Sequence, residues 1–397
     1  MRGRTVERVY LDHAATTPLD PRVFEAMLPV LREGWGNPSG IYREAQTARK
    51  ALDEARDTVA ARLECAPAEI VFTSGGTESD NSAIRGVSAA WRAERRAPPG
   101  HMITSAVEHH AVLEPMEALE RDGWEVTVLP VDREGLVDPA SVQAAVRDDT
   151  ALVSIMTANN EVGTLQPIAE IARAAKSRNP ATLVHTDAVQ AAGAIDIRPD
   201  LLGVDLLSLT AHKIYGPKGA GALFVRHRTP FRPLLIGGGQ EGDRRAGTEN
   251  VAGAVGLATA LDLAHAEMDA RNAHVGGLRD RLWRNLREGI GDVSLNGPRD
   301  MRGRLPNNLS LCFPGVEGES ILLHLDMEGV AASSVSACST GSTEPSHVLT
   351  AMGIDPDIAH SALRLTLGLG NTEAQIDRVG RALPEVIARL RALSPIR

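Results

Sequence analysis

The chain has 397 residues and a formal net charge of −9, with 43% hydrophobic and 23% charged residues, a composition typical of a globular protein. This length exceeds what one hydrophobic core usually covers, so it predicts one large domain with a smaller companion. The acidic charge opposes direct binding to nucleic acid, and no apolar run reaches the roughly 18 residues of a membrane helix. Because the amino terminus lacks the apolar segment of a secretory signal, we expect a cytoplasmic protein.

Short apolar runs typical of strands alternate with helical patterns between residues 69 and 225. In chain order the strand-like runs are EIVFT, HMITS, EVTVLP, ALVSIM, TLVHTD and VDLLSLT. Most of them precede a helical pattern, such as residues 79–96 or 167–178. The alternation predicts an α/β fold with a mostly parallel sheet, in which ligands gather at the carboxyl ends of the strands.

A different pattern follows residue 248. It begins with a long helical region over residues 250–290, followed by a strand in LPNNLSLCFPG, a helix in GESILLHLDMEG, and a strand with a terminal helix after residue 360. We therefore assign residues 17–262 to a large domain, and residues 1–16 and 263–397 to a smaller α+β domain.

Lys213 lies in the run TAHKIYGPKG, just after an apolar stretch at residues 204–209. An amine at the end of a buried strand has a depressed pKa and can attack an aldehyde, and the natural aldehyde for such a lysine is pyridoxal phosphate. On this run alone the alternative of a solvated loop lysine stays open.

Residues 74–81, SGGTESDN, follow the strand EIVFT. Two glycines and the hydroxyl of Thr77 at the start of a helix suit a bound phosphate, because backbone N–H groups and the helix dipole point at the ligand. A capped glycine turn has the same pattern, and this alternative is at least as common.

Polar residues also follow two other strands. Asp187 ends TLVHTD and suits a protonated pyridine nitrogen, with Gln190 near the phenolic oxygen of the ring, although Asp187 would also cap a helix. His109 follows HMITS and suits stacking on a ring and proton transfer, but spacing alone does not separate it from His110.

The three cysteines, Cys65, Cys312 and Cys338, are too few and too scattered for a disulfide framework or a CxxC metal site, so we predict no intrinsic metal. Cys312 lies in a strand-like run and Cys65 near a helix end, positions typical of structural cysteines. Cys338 lies in SSVSACSTGSTEPSH, a run of small residues typical of a loop. If any cysteine is a nucleophile, we predict that it is Cys338.

Taken together, these runs resemble the cysteine desulfurases, pyridoxal-phosphate-dependent transferases of the aspartate-aminotransferase-like fold (fold type I). The matching runs are YLDHAATTP, GNPSG, FTSGGTESDN, EHHAVLEP, ANNEVGTLQP, HTDAVQAAG, HKIYGPKGAGAL, GGGQEGDRRAGTENV, LPNNLSL, GESILLHLD, SSVSACSTGSTEPSHVL and HSALRLTLG. The resemblance implies a homodimer that converts L-cysteine to L-alanine and leaves a persulfide on the enzyme.

The resemblance also implies a role for each matching residue. The implied cofactor contacts are Gly76, Thr77, His109, Asn160, Asp187, Gln190, Thr210, His212, Lys213 and, from the other subunit, Thr248. Lys213 would form the Schiff base, and His109 would stack on the ring. Asn160 and Arg364 would orient the substrate, with Arg364 suited to a bidentate grip on its carboxylate. Cys338 would receive the sulfur.

The sequence departs from the family pattern in three places. Val335 replaces a common glycine, the run EGDRR replaces Glu-Arg-Gly-x-Arg before Thr248, and the chain ends at LSPIR without the longer tail of housekeeping assembly enzymes. A β-branched residue at position 335 stiffens the backbone next to Cys338. The short ending favours a nitrogen-fixation-like or other dedicated desulfurase.

A sulfur-acceptor or iron–sulfur scaffold protein is the expected partner, and Cys338 would at most ligate a nascent cluster transiently. Alternatives on the same scaffold are a selenocysteine lyase, a desulfurase dedicated to tRNA or DNA sulfur modification, and a plain aminotransferase, which Cys338 disfavours. A catalytically silent sulfur-relay protein is the alternative outside enzymes. Intact Lys213, Asp187 and His109 argue against it.

Overall fold

The computed structural model describes residues 8–95, 99–334 and 345–393, so Cys338 and Val335 lie outside the described residues. The described strands are β1 Val9–Tyr10, β2 Ile70–Thr73, β3 His101–Ser105, β4 Glu125–Leu129, β5 Thr150–Ser154, β6 Leu183–Asp187, β7 Leu206–Thr210, β8 Gly221–Val225, β9 Ser294–Leu295, β10 Asn308–Cys312, β11 Val330–Ala331 and β12 Ala362–Thr366. The described helices are α1 Pro21–Glu33, α2 Arg43–Leu63, α3 Gly76–Arg95, α4 His110–Arg121, α5 Pro139–Ala145, α6 Ile168–Arg178, α7 Pro199–Leu202, α8 Gln240–Asp243, α9 Val251–Ala266, α10 Met268–Gly289, α11 Gly318–Met327, α12 His347–Ala351, α13 Pro356–Ala359 and α14 Glu373–Leu393.

Strands β2 to β8 form a seven-stranded sheet in the order β2-β8-β7-β6-β5-β3-β4. Neighbouring strands from β7 to β4 pair in parallel, whereas β8 runs antiparallel to both β2 and β7. The prediction of a mostly parallel sheet is confirmed. Strand β8 was not predicted, because it follows β7 without the intervening helix on which the strand assignments relied.

Helices cover both faces of this sheet. Every residue of β3, β5, β7 and β8 is buried, as expected for strands covered on two sides. Met102 and Leu206 face an apolar cluster shared with α3 and α4, whereas Ile103 and Leu207 face the opposite cluster, to which α2, α6 and α9 contribute. None of the helices in the described ranges combines the length and apolar character that crossing a bilayer requires.

A second hydrophobic core joins the amino terminus to the last third of the chain. Strand β1 pairs in parallel with β11, and β12, β10 and β9 form a small antiparallel sheet. Leu11 packs with Leu282 of α10, Leu363 of β12 and Leu383 of α14 in this core. The predicted helical region 250–290 consists of two helices, because α9 packs on the large sheet while α10 turns its apolar face to the second core.

The carboxyl ends of β2, β3, β6 and β7 lie at one edge of the large sheet, because these strands run in the same direction. The segments that leave this edge are residues 74–76, 106–109, 188–190 and 211–213. Side chains distant in the chain are therefore brought to one place, as is usual for ligand sites of α/β sheets.

Candidate active site

Lys213 ends a short 3-10 turn, Ala211–Lys213, that directly follows β7. Its Nζ donates to the carbonyl oxygens of Ala14 at 2.5 Å and Ala15 at 2.7 Å. These acceptors belong to an amino-terminal segment, residues 12–17, which lies across the edge of the sheet. Because protein carbonyls hold the amine beside a fully buried strand, the alternative of a solvated loop lysine does not fit.

Asp187 is the last residue of β6 and is buried. Its Oδ1 accepts from the N–H of Val189 at 2.8 Å, and the chain continues in turns, so Asp187 caps no helix. Burial raises the pKa of this carboxyl group, while the charge of Lys213 lowers it. Gln190 donates through Nε2 to the carbonyl of Ala14 at 2.9 Å, the oxygen that Lys213 also contacts.

The glycine loop after β2 leads directly into α3, which begins at Gly76. A Cβ atom on Gly76 would lie 2.7 Å from Cγ2 of Val189, so a larger residue at the helix start would force this side chain, in the turn after Asp187, to move. Thr77 is exposed in the first helical turn. The free N–H groups of this 20-residue helix suit an anion.

Two further predicted phosphate contacts lie near Lys213. Thr210 is the buried last residue of β7, and its Oγ1 lies 3.7 Å from where a Cβ on Gly75 would be. His212 Nδ1 is 3.2 Å from the Oγ1 of Thr16. Burial and the nearby charge of Lys213 lower the pKa of His212 to about 4, so this ring is neutral at physiological pH.

His109 is the N-cap of α4, and its Nδ1 accepts from the N–H of Ala111 at 3.0 Å. The proton of the neutral ring is therefore on Nε2. Burial, together with the charge of Lys213, lowers the pKa of His109 to about 4. His110 instead packs against His347, with ring centroids 5.0 Å apart, which favours His109 as the residue facing Lys213.

Arg364 is a buried residue of β12. It donates through Nη1 to the carbonyl oxygen of Asn160 at 3.1 Å and through Nη2 to Oδ1 of Asp12 at 2.9 Å. Its Nε has no hydrogen-bond partner within the described ranges. The backbone of Ser333, five residues before Cys338 in the sequence, pairs with the backbone of Arg364.

Thr248 is exposed, and in the described part of the chain no hydrogen bond joins it to the residues above. In the variant run before it, Arg245 pairs with Glu78 at 2.8 Å, and Arg244 donates to the carbonyl of Ala68. Glu241, the first residue of the run EGDRR, is buried.

The buried carboxylate of Glu241 accepts from both terminal nitrogens of Arg56 at 2.8 and 2.6 Å and from the N–H of Phe72 at 2.8 Å. The backbone around it has left-handed φ at Glu241 and Asp243. The buried ion pair holds this unusual backbone in place.

Sequence reasoning missed the contacts of residues 12–17. Their run, YLDHAATTP, indicated the family, but backbone carbonyls that accept from Lys213 have no sequence signature.

Sequence reasoning also missed three buried carboxyl groups near the site, those of Asp80, Glu108 and Glu161. Burial raises the pKa of Glu108 to about 8 and that of Glu161 to about 7. Across the described ranges, no group of His, Cys, Asp and Glu side chains is arranged to hold a metal ion.

The arrangement fits pyridoxal phosphate. The cofactor needs an amine for its aldehyde, an anion for its ring nitrogen and donors for its phosphate. Lys213 supplies the amine, the buried carboxyl group of Asp187 supplies the anion, and the helix start at Gly76 supplies N–H donors in a space that a Cβ would fill.

Comparison with known proteins agrees with this geometry. The aminotransferase class-V family profile matches residues 9–379. The cysteine desulfurase IscS of Dictyoglomus turgidum is 52% identical over 387 residues, which cover 98% of this chain and 96% of that protein. A solved NifS-like protein superimposes with a TM-score of 0.90 at 40% identity, covering 97% of this chain and 100% of that one.

A further solved structure, SspA in complex with cysteine, superimposes with a TM-score of 0.78 at 35% identity and covers 91% of this chain and 99% of that one. These matches confirm the predicted fold type I architecture, including the mostly parallel sheet. The chain belongs to the cysteine desulfurases, pyridoxal-phosphate-dependent enzymes of the aminotransferase class-V family.

Proposed function

We propose that this protein converts L-cysteine to L-alanine and transfers the sulfur to Cys338 as a persulfide. The observation that carries the proposal is the convergence of Lys213, Gln190 and Arg364 on residues 12–17. Pyridoxal phosphate, when bound, withdraws electrons from the Cα atom of an attached amino acid.

The residues proposed to contact the cofactor, here called the cofactor side, each have a distinct role. Lys213 holds the cofactor covalently and, once displaced by substrate, moves the Cα proton. Asp187 holds the proton of the pyridine nitrogen, and Gln190 donates to the phenolic oxygen. The neutral ring of His109 stacks on the cofactor, with a proton available on Nε2. The phosphate binds Gly76, Thr77, Thr210 and His212.

On the substrate side, Arg364 binds the carboxylate of cysteine. Two of its nitrogens are fixed by Asn160 and Asp12, which orients the guanidinium plane and leaves Nε available for the ligand. Asn160 is itself buried beside this group and orients cofactor and substrate together.

Sulfur transfer requires a thiolate. The Cys338 sulfur attacks the sulfur of the substrate, a sulfur–sulfur bond forms as the Cβ–sulfur bond breaks, and the electron pair left on Cβ takes up a proton to give the methyl group of alanine. The other two cysteines are unsuited to this, because Cys312 is fully buried and burial raises the pKa of the Cys65 thiol to about 12.

Single alanine variants of the three cysteines test the proposal. Cys338→Ala should abolish alanine production while retaining bound cofactor, whereas Cys312→Ala and Cys65→Ala should retain activity. Mass spectrometry of the wild-type enzyme after reaction should find the persulfide on the peptide containing Cys338. Near-normal turnover of Cys338→Ala, or a persulfide on either other cysteine, would refute the assignment.

The proposed assembly is a homodimer in which Thr248 reaches the phosphate of the other subunit. Its exposure supports this, as do the large exposed side chains Trp35 (75%), Ile41 (95%) and Ile236 (89%), which a second copy would cover. We further propose a cytoplasmic enzyme with domains divided at residues 16/17 and 262/263, which delivers sulfur to an acceptor or iron–sulfur scaffold protein.

A further inference from the structure

A second buried carboxyl group, that of Asp80 on α3, lies behind Asp187. The residue is 1% exposed, its Oδ1 is 3.6 Å from Nε2 of His185, and this oxygen has no hydrogen-bond partner in the described ranges. The hydrogen-bonding neighbour of the Asp80 carboxyl group is Ser208. In the β6–β7 register Ser208 stands opposite Asp187, and His185 lies two residues before Asp187 on the same face of the sheet.

His185 does not neutralise Asp80. Its Nδ1 is 2.8 Å from the Oγ of Ser154, and its Nε2 is 3.0 Å from the Oγ of Ser208. Complete burial lowers the pKa of His185 to about 3, so the ring is uncharged over the physiological range. The 3.6 Å approach of Asp80 to this ring is therefore not an ion pair.

The other titratable groups around Asp80 disfavour its ionised form. A charge on Asp187, and to a smaller extent one on Glu108, raises the pKa of Asp80, and burial raises the pKa of all three carboxyl groups. Lys213 is a cation that lowers the pKa of Asp187. Several carboxylates in one desolvated cluster cannot all ionise, so the proton stays on those farthest from the cation.

We propose that Asp80 is a positioning residue that remains a protonated acid behind Asp187 and thereby keeps Asp187 the single anion opposite the pyridine nitrogen. Asp80 does not touch the cofactor. It acts through the charge of Asp187 and through the hydroxyl of Ser208, and the inference rests on the proposed pairing of Asp187 with the ring. The orphaned Oδ1 and the uncharged His185 are the observations that support it.

The first test uses the apoprotein of wild type and Asp80→Asn. An aspartate that is ionised when unfolded and protonated when folded makes the folded state bind one extra proton, so stability falls as pH rises above the unfolded pKa of about 4. The free energy of unfolding, measured with denaturant between pH 5 and 8, should therefore fall less steeply with pH in Asp80→Asn than in wild type. The difference in slope should correspond to about one proton. The matched control is Asp205→Asn, because Asp205 is also buried but pairs with Lys176 at 3.0 Å, and this variant should keep the slope.

A second measurement does not depend on the variant folding. Infrared spectra of the wild-type apoprotein at neutral pH should contain the C=O stretch of a buried, protonated carboxylic acid, and specific isotope labelling of aspartate should shift it. A slope in Asp80→Asn equal to that of wild type, or no aspartic acid band in wild type, would overturn the proposal.

The holoenzyme gives the third readout. Asp80→Asn should retain cofactor absorbance at neutral pH, because an amide has the charge of the protonated acid, whereas Asp187→Asn should weaken cofactor binding by at least about tenfold. Loss of the cofactor from Asp80→Asn would also overturn the proposal. If wild type itself fails to bind the cofactor at Lys213, the proposed function fails instead, and the apoprotein measurements still report on Asp80.

Discussion

The cofactor side and the substrate side of the site are assembled differently. Asp187 ends β6, and Lys213 ends the short turn that follows the neighbouring parallel strand β7, so the direction of the chain alone brings them to the same edge. Arg364, by contrast, comes from the small antiparallel sheet and is fixed by Asn160 and Asp12, each far away in sequence. Substitutions on the cofactor side should abolish cofactor binding. Substitutions on the substrate side should leave the cofactor bound and weaken substrate binding.

Lys213→Ala, on the cofactor side, has the largest expected effect. Within the described ranges no other lysine donates to the carbonyls of Ala14 and Ala15, so we expect loss of visible absorbance and of borohydride-trapped cofactor, with turnover reduced by about 1000-fold or more. Lys218→Ala, an exposed lysine of the same run, is the matched control and should behave as wild type. A reducible adduct on a different lysine would contradict the assignment.

Arg364→Lys tests the substrate side. The ammonium group cannot reproduce a planar donor held by Asn160 and Asp12, so kcat/KM for cysteine should fall roughly 10- to 100-fold while cofactor absorbance is retained. Arg281→Lys, at a surface ion pair, serves as the control. Loss of cofactor from Arg364→Lys would show that the two sides are not separable.

Glu108→Gln tests the pH dependence of stability on the cofactor side. Burial raises the pKa of Glu108 to about 8, well above that of an unfolded glutamate. The extra proton bound by folded Glu108 therefore stabilises the folded state fully below about pH 4, and this stabilisation is lost as pH rises to about 8. The wild-type apoprotein should lose about 1–3 kcal/mol of stability between pH 5 and 8 that Glu108→Gln does not lose.

Denaturant titrations at several pH values measure this difference, with Glu114→Gln as an exposed control. Equal pH dependence in wild type and Glu108→Gln would show that Glu108 is ionised in the folded protein.

Thr248→Ala has the smallest expected effect. Loss of the proposed hydrogen bond from Thr248 to a phosphate in the other subunit should weaken cofactor binding about two- to tenfold. When Thr248→Ala and Lys213→Ala chains are unfolded together and refolded, heterodimers should contain one intact site and recover activity above either parent. An active monomer in light scattering, or no recovery in demonstrated heterodimers, would make Thr248 an ordinary loop residue.

The same difference explains what could be predicted from the sequence. The positions of Lys213, Asp187 and the glycine loop before Thr77 at one edge of the sheet could be predicted, because strand ends and helix starts leave local signatures. The roles of Asp12 and of the Ala14 carbonyl were not, since they depend on where a distant segment crosses the site. The choice between His109 and His110 required the cap geometry of α4. Strand β8 was missed because it breaks the strand–helix alternation.

The buried carboxylate of Glu241 bears on how two chains would associate. Its bonds to Arg56 and to the backbone of Phe72 fix a run in the left-handed conformation just before Thr248, although such backbone is unfavourable for non-glycine residues. A segment ordered in this way before association loses little conformational entropy when it meets a second subunit. Part of the entropic cost of the proposed dimerisation would thus be met during folding of the single chain, so Glu241→Gln should weaken self-association, measured by analytical ultracentrifugation.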